Sequence, residues 1–312
     1  MTGVLKKRRR SPSDLTIRGE QHFYAGVFLL PTLLIALGLV AYPLVYSLLL
    51  TVRSAGDLPG TLGPWIGFSN WTHLAGDPVF RQSFVQSVMY VVPACVVGVS
   101  IALGVAVVLN QDFPGRRIAR ACLLIPWALP PVVVAAMFEW FLDGRRGLLG
   151  AWLTALGITA RPPDFFSGIP GTLFTLVGIH VWKTFPLLAI MFVVALQYLP
   201  KETVHAARID GARMLQRFRY VVLPHLRPTI VAAVIIELLI TLQLFDLIYA
   251  LTLGGPGAYS TYNLYFYAYK NTFEYQDFGY GAVLAYVVSA LVIVCALILT
   301  RGRATRSQLA GG

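Results

Sequence analysis

The sequence predicts an all-α integral membrane protein with six transmembrane helices, and three observations predict it. Hydrophobic residues make up 57% of the 312-residue chain and charged residues 12%, against a charged share of roughly 25% in soluble proteins. Mean hydropathy is +0.69, so too little polar surface exists to solvate a globule of this size and a soluble enzyme is close to excluded. Apolar runs cover residues 24–52, 84–109, 120–142, 172–199, 229–253 and 279–300, each near or above the about 20 residues that cross a hydrocarbon core. The same runs exclude a transmembrane barrel, whose strands alternate apolar and polar residues.

The first run follows a polar, basic tail, residues 1–20, expected to be disordered or to lie on anionic headgroups. It is longer than the core of a signal peptide and has no convincing cleavage site, so it is expected to stay as the first helix. Prolines interrupt it at Pro31 and Pro43, the second run at Pro93, the third at Pro126, Pro130 and Pro131, and the fourth at Pro186. Neighbouring helices satisfy the carbonyls so freed, and the kinks fit either a pathway or ordinary packing.

Orientation follows from Lys and Arg. Lys6, Lys7, Arg8, Arg9, Arg10 and Arg18 precede the first run. Arg116, Arg117 and Arg120 fall in the second connection; Lys201, Arg208, Arg213, Arg217, Arg219 and Arg227 in the fourth; Arg301, Arg303 and Arg306 in the tail. The opposite connections hold only Arg53, Arg81, Arg145, Arg146, Arg161 and Lys270. The positive-inside rule therefore places both termini in the cytoplasm. The net charge of +11 is explained by this topology and not by nucleic acid. Cys95, Cys122 and Cys295 lie in apolar stretches as small core residues, without a disulfide framework. The organisation expected is a tail over 1–20, a transmembrane domain over 21–300 and a cytoplasmic tail over 301–312.

Residues 200–228 form a connection long enough to have its own structure and task. At helical spacing Ala207, Gly211, Met214, Leu215, Phe218, Val221 and Val222 share one face, with His205, Arg208, Arg213, Arg217 and Arg219 on the other. Gly211 after Asp210 lets the chain turn, so two short helices are expected. Composition alone allows an interfacial helix resting on the membrane.

The wording of this loop is more specific. Ala206, Ala207, Asp210, Gly211 and Ala212, then Phe218, Leu223 with Pro224, and Leu226 with Pro228 closely resemble the EAA loop of binding-protein-dependent ABC importer permeases. The segments 67–71, 181–186 and 245–249, with Leu253, Gly254, Gly255 and Pro256, resemble the sugar branch, related to the maltose permease larger subunit and the glycerol-3-phosphate permease. The likeness covers about residues 20–300; a large extracytoplasmic insertion is absent.

The resemblance implies a type I ABC importer permease in a bacterial-type inner membrane, translocating a carbohydrate or derivative by alternating access. Its implied partners are a second homologous permease, two copies of a cytoplasmic ATPase, and an extracytoplasmic solute-binding protein, in a lipid bilayer and without nucleic acid. No catalytic residue, metal or cofactor is implied on this chain, ATP and Mg belonging to the ATPase. His205, Ala206, Ala207, Asp210, Gly211, Ala212, Phe218 and Pro224 are the implied ATPase-coupling residues. One departure stands out: His205 occupies the family's leading Glu position, with Glu202 three residues earlier.

Ionisable groups inside apolar runs are costly and tend to face a cavity or a partner; here they are Glu139, His180, Lys183, Glu237 and Asp246. Glu139 and Lys183 fit snorkelling or structural pairing as well. The resemblance makes the fifth span line the pathway and Gln243, Phe245, Asp246 and Tyr249 the candidate substrate residues, although packing is the commoner fate of the two aromatics. Tyr259, Tyr262, Tyr265, Tyr267 and Tyr269 fit an interfacial aromatic belt or a docking surface for a binding protein.

Rival classes leave few traces. The chain has no Walker A sequence, and His22, His73, His180, His205 and His225 lack metal-ligand spacing. An ion-coupled secondary transporter would usually have more spans and would not need the loop. A membrane scaffold without transport is the third alternative, separable by solute flux.

Overall fold

The computed structural model describes residues 24, 27–56, 60–255, 257 and 259–309. The basic tail expected over 1–20 lies outside them. Among the described residues, five helices are long and apolar enough to span a membrane: Val27–Leu50, Pro78–Leu109, Ile169–Gln197, Met214–Leu251 and Phe278–Thr300. They correspond to five of the six predicted runs. The sixth, third in sequence, is not one straight helix but a pair, Arg116–Ala128 and Pro131–Leu142, bent by 91°. Its cause is local, because a residue before proline is driven out of the helical region. Leu129 and Pro130, each followed by a proline, both sit at ψ 138°.

Other boundaries also shift for identifiable reasons. The second span starts at Pro78, ahead of its apolar run, because Asp77 accepts the Val79 amide at 2.8 Å and caps it, with proline in the first turn. The last helix continues to Leu309, beyond the span expected to close at residue 300. The stretch between the first two spans holds a small antiparallel pair of strands, Arg53–Ala55 with Leu62–Trp65, which an all-α expectation did not include. Of the three free cysteines, Cys95 and Cys295 are half-buried and Cys122 is exposed, so the expectation of small core residues fails for Cys122.

The fourth span is the centre of the bundle and packs along the second. Close approach is possible because Ala94, Gly98, Ala102 and Ala106, four residues apart, are all buried and present little side chain. The first span is largely exposed and is tied to the last by Ser47 and Tyr286 hydroxyls 3.1 Å apart. Its exposed apolar surface suits lipid or a second membrane chain.

The buried apolar residues form two clusters. One joins Tyr90, Ala94, Val134, Leu173, Leu176 and Ile248 to Tyr262, Phe266 and Leu284. The other joins Val99, Ala102 and Ala106 to Leu188, Phe192, Leu196 and Leu226. Gly98, Thr184 and Glu237 sit where the second, fourth and fifth spans pass from one cluster to the other.

Candidate functional site

The site residues expected from the sequence fall in two places on this scaffold. The first is the loop of residues 200–228. Lys201–Ile209 is helical, the chain turns through Asp210 and Gly211, and a second helix begins at Met214. The turn depends on Gly211, whose φ of +77° lies in the left-handed region that glycine enters without penalty. Its N–H donates to the Arg208 carbonyl at 3.1 Å, and the Ala212 N–H donates to that of Ala207 at 3.0 Å. The second helix opens with a one-sided cap, the Arg213 amide donating to Gln216 Oε1 at 2.7 Å. Two short helices are therefore present, as the glycine predicts.

The single apolar face expected across the loop is not. Because the helical register breaks at residues 210–213, Met214 and Leu215 are exposed, together with Ile209 at 86%. Ala207, Ala212, Phe218, Val221 and Val222 are half-buried, while His205, Ala206, Asp210, Gly211 and Pro224 are exposed. Small side chains and a solvent-facing turn thus occur together, flanked by uncovered apolar groups.

The second place is a cavity of about 260 Å³ between the fourth span, the bent third segment and the fifth span. Gln243, Phe245 and Asp246 line it, with Trp127, Lys183 and His180. Tyr249, grouped with them by sequence, does not; it stacks on Phe245 at 5.3 Å. Phe245 also meets Tyr269 at 4.5 Å and Phe266 at 5.7 Å, so this ring is built into an aromatic cluster as well as the cavity wall.

The fifth span is not continuous here. Its helix stops at Leu242 and a short one restarts at Asp246, leaving residues 243–245 outside regular helix. Unsatisfied carbonyls in a membrane interior are costly. Asn263 meets that demand, donating from Nδ2 to the Leu244 carbonyl at 2.6 Å while its Oδ1 accepts the Phe266 amide at 2.7 Å. Lys183 donates from Nζ to the Trp127 carbonyl at 3.1 Å, fixing a cation in the cavity wall. Glu139 is exposed and takes no part.

His180 and Glu237, picked out by sequence only as costly mid-span groups, are brought together behind this cavity. Glu237 is fully buried; its Oε1 accepts from Thr184 at 3.0 Å and lies 3.3 Å from His180 Nε2. The same nitrogen is 3.0 Å from the Thr241 hydroxyl. Their separation of 57 positions leaves no local signal for the pairing; the spacing of His180, Thr184, Glu237 and Thr241 in fours was its one trace.

The tyrosines of the fifth connection are not uniformly exposed. Tyr262 and Tyr267 are buried, and only Tyr265 is exposed. The connection dips into the bundle, where Gln86 Nε2 donates to the Ser260 carbonyl at 2.8 Å and Tyr90 to that of Thr261 at 3.1 Å. Tyr267 and Tyr280 both donate to Asp77 Oδ2. Burial pushes the Asp77 carboxyl up, but these hydroxyls and the Phe80 and Val79 amides together outweigh it and hold it below its usual value.

Residues 95–303 match the family described as binding-protein-dependent transport system inner membrane component. The chain is 33% identical over 286 residues to the sulfoquinovosyl glycerol transport system permease of Agrobacterium fabrum, covering 89% of each chain. It is 30% identical over 269 residues to the trehalose/maltose transport system permease of Thermococcus litoralis, covering 86% of this chain and 89% of that one. Among solved structures, a chain of a bacterial ABC transporter involved in importing the acidic polysaccharide alginate superposes with a TM-score of 0.80 at 19% identity. That match covers 92% of this chain and 97% of the other.

Proposed function

The chain belongs to the inner-membrane permease components of binding-protein-dependent ABC transport systems, and on that premise we propose that it imports a carbohydrate or carbohydrate derivative by alternating access. As a permease of this family it is a multi-pass membrane subunit that catalyses no reaction and holds no cofactor, ATP being hydrolysed on a separate ATPase. The sugar class is supported by the relatives named for sulfoquinovosyl glycerol and for trehalose/maltose. A second permease, two ATPase copies and a solute-binding protein complete the assembly. A solved relative of the same fold is in complex with a periplasmic protein bound to an alginate pentasaccharide.

Both termini lie in the cytoplasm, supported by the excess of Lys and Arg in the tails and in the second and fourth connections. Residues 200–228 then face the ATPase. The observation that carries this docking role is the exposed turn at Asp210 and Gly211, between two helices whose small residues and uncovered Ile209, Met214 and Leu215 leave room and apolar surface for a partner. Ala206, Ala207 and Ala212 admit close approach, Phe218 fills a pocket of the partner, Pro224 lies at the same contact, and His205 sits at the rim. Movement of this compact unit reaches the fourth and fifth spans directly, because it joins their ends.

Solute passes by the cavity at the break in the fifth span, where Gln243 and Asp246 supply polar groups and Phe245 and Trp127 supply ring faces. Tyr249 buttresses Phe245.

Affinity purification of the tagged chain tests the assembly. Wild type should recover an ATPase and a second permease, and Ala207→Arg should lose the ATPase while staying in the membrane. Gly211→Pro, impossible at φ +77°, and Asp210→Arg should uncouple ATP hydrolysis from uptake. Unchanged uptake in both would remove the loop from the coupling path.

A further inference from the structure

Arg116, Arg120, Arg208 and His205 converge on a cleft of about 370 Å³ where the first loop helix meets the ends of the second and fourth spans and the start of the third. Asp112 is the one carboxylate among the lining residues, and it is already engaged by Arg116 one helical turn away. Arg120 donates from Nη2 to the Leu109 carbonyl at 2.7 Å, but its Nε is buried without a partner. The side chains of Arg208 and His205 have no hydrogen bond or ion pair among the described residues. Three guanidinium groups thus face one carboxylate, and a buried N–H lacks an acceptor.

A buried donor left unmet is unfavourable, and the planar guanidinium fork matches phosphate oxygens. Asn110 and Gln197 add amide donors to the same wall. Ile118 and Tyr198, neighbours in sequence of the lining residues, are exposed at 70% and 78% and offer acyl chains an apolar surface. On these grounds we propose that the cleft is a phosphate-binding site occupied by the headgroup of an anionic phospholipid. The assignment rests on the orientation proposed above, which puts the cleft at the cytoplasmic leaflet, where basic pockets between helices meet anionic headgroups. A phosphate held by Arg208 on the loop helix and by Arg116 and Arg120 at the base of the third segment ties the two together. Coupling then depends on the lipid.

The test uses the intact transporter in detergent, with thermal unfolding followed during separate titrations with short-chain phosphatidylglycerol, short-chain phosphatidylcholine and inorganic phosphate. Phosphatidylglycerol should stabilise the wild type and phosphatidylcholine should not. Each arginine at an anionic surface is worth about fivefold in affinity, so Arg120→Gln with Arg208→Gln should weaken phosphatidylglycerol about 30-fold. Arg208→Gln alone, which breaks no bond within the described chain, should weaken it about fivefold and keeps the test valid if the double variant fails to fold. Arg219→Gln, outside the cleft, should leave it unchanged.

Stabilisation by inorganic phosphate alone, lost in the variants, would support the phosphate chemistry but overturn a lipid as its source. Equal effects of the two lipids, or phosphatidylglycerol binding unchanged in Arg208→Gln, would overturn the site. Absence of any lipid effect together with loss of the ATPase from Arg208→Gln would assign the cleft to a partner carboxylate instead. Gln216→Cys in a Cys122→Ser background, labelled from either side of the membrane, separates an inverted chain from an empty cleft.

Discussion

Removing the Glu237 carboxylate tests whether the polar layer between the two apolar clusters holds the fourth and fifth spans together. In Glu237→Ala, Thr184 loses an acceptor at 3.0 Å and His180 a neighbour at 3.3 Å, and the space beside Gly98, now 3.5 Å from Glu237 Oε1 at an ideal Cβ position, opens. Deleting one partner of a buried hydrogen-bonded contact costs about 1–3 kcal/mol, and the cavity left by the side chain adds to it. The low end of the contact loss is expected because neither partner is orphaned: Thr184 still donates to the His180 carbonyl at 3.1 Å and His180 still meets Thr241 at 3.0 Å. With the cavity added we expect about 3 kcal/mol for Glu237→Ala, and about 1 kcal/mol for Glu237→Gln, which keeps the volume and one acceptor. Combined with His180→Ala, the two losses should fall short of additivity by about 1–3 kcal/mol, since each removes the same contact. Equilibrium unfolding of the purified transporter in detergent gives all three numbers. A Glu237→Ala variant within about 0.5 kcal/mol of wild type, or full additivity with His180→Ala, would refute the idea that this pair joins the spans.

Asn263→Ala should cost about 2–3 kcal/mol, because it removes both the bond to the Leu244 carbonyl and a helix cap, and sugar uptake should fall with it; unchanged unfolding would separate the break in the fifth span from Asn263. Asp77 has a carboxyl held below its usual 3.8, so its contribution is complete above that value and lost as the pH falls through the lower folded-state one. Asp77→Asn should flatten this acid limb of a stability–pH curve, and an acid limb identical to wild type would count against the Tyr267 and Tyr280 contacts. Gly254→Ala places a methyl group against the Tyr262 ring at a φ of +95°, so expression of folded protein should drop several-fold in fluorescence-detected gel filtration, whereas Gly211→Ala, with open space around it, should cost only about 1–2 kcal/mol of backbone strain.

The sequence by itself determined that this chain is a helical membrane protein, because no other phase accommodates apolar runs of spanning length. It also determined the two-helix loop, since Gly211 and the residues around it act through local backbone geometry. The prolines at 130 and 131 announced a break in the third segment, but not its angle of 91°, which depends on what each half packs against. Hydropathy could not mark the break at residues 243–245: Phe245 and Leu244 read as membrane-embedded, and the group that satisfies the freed carbonyl, Asn263, lies 19 positions away. Nor could it tell the exposed Tyr265 from Tyr262 and Tyr267, which are buried, because all are equally aromatic; the difference arises where the second span donates to the carbonyls of Ser260 and Thr261 and holds the connection against the bundle. Periodicity fixes which face of a helix is apolar, while the pairing of His180 with Glu237 and the gathering of Arg208, Arg116 and Arg120 around one cleft arise only when distant helices are set side by side. Local chemistry is written in neighbouring residues; the polar groups that meet across the bundle are chosen by packing.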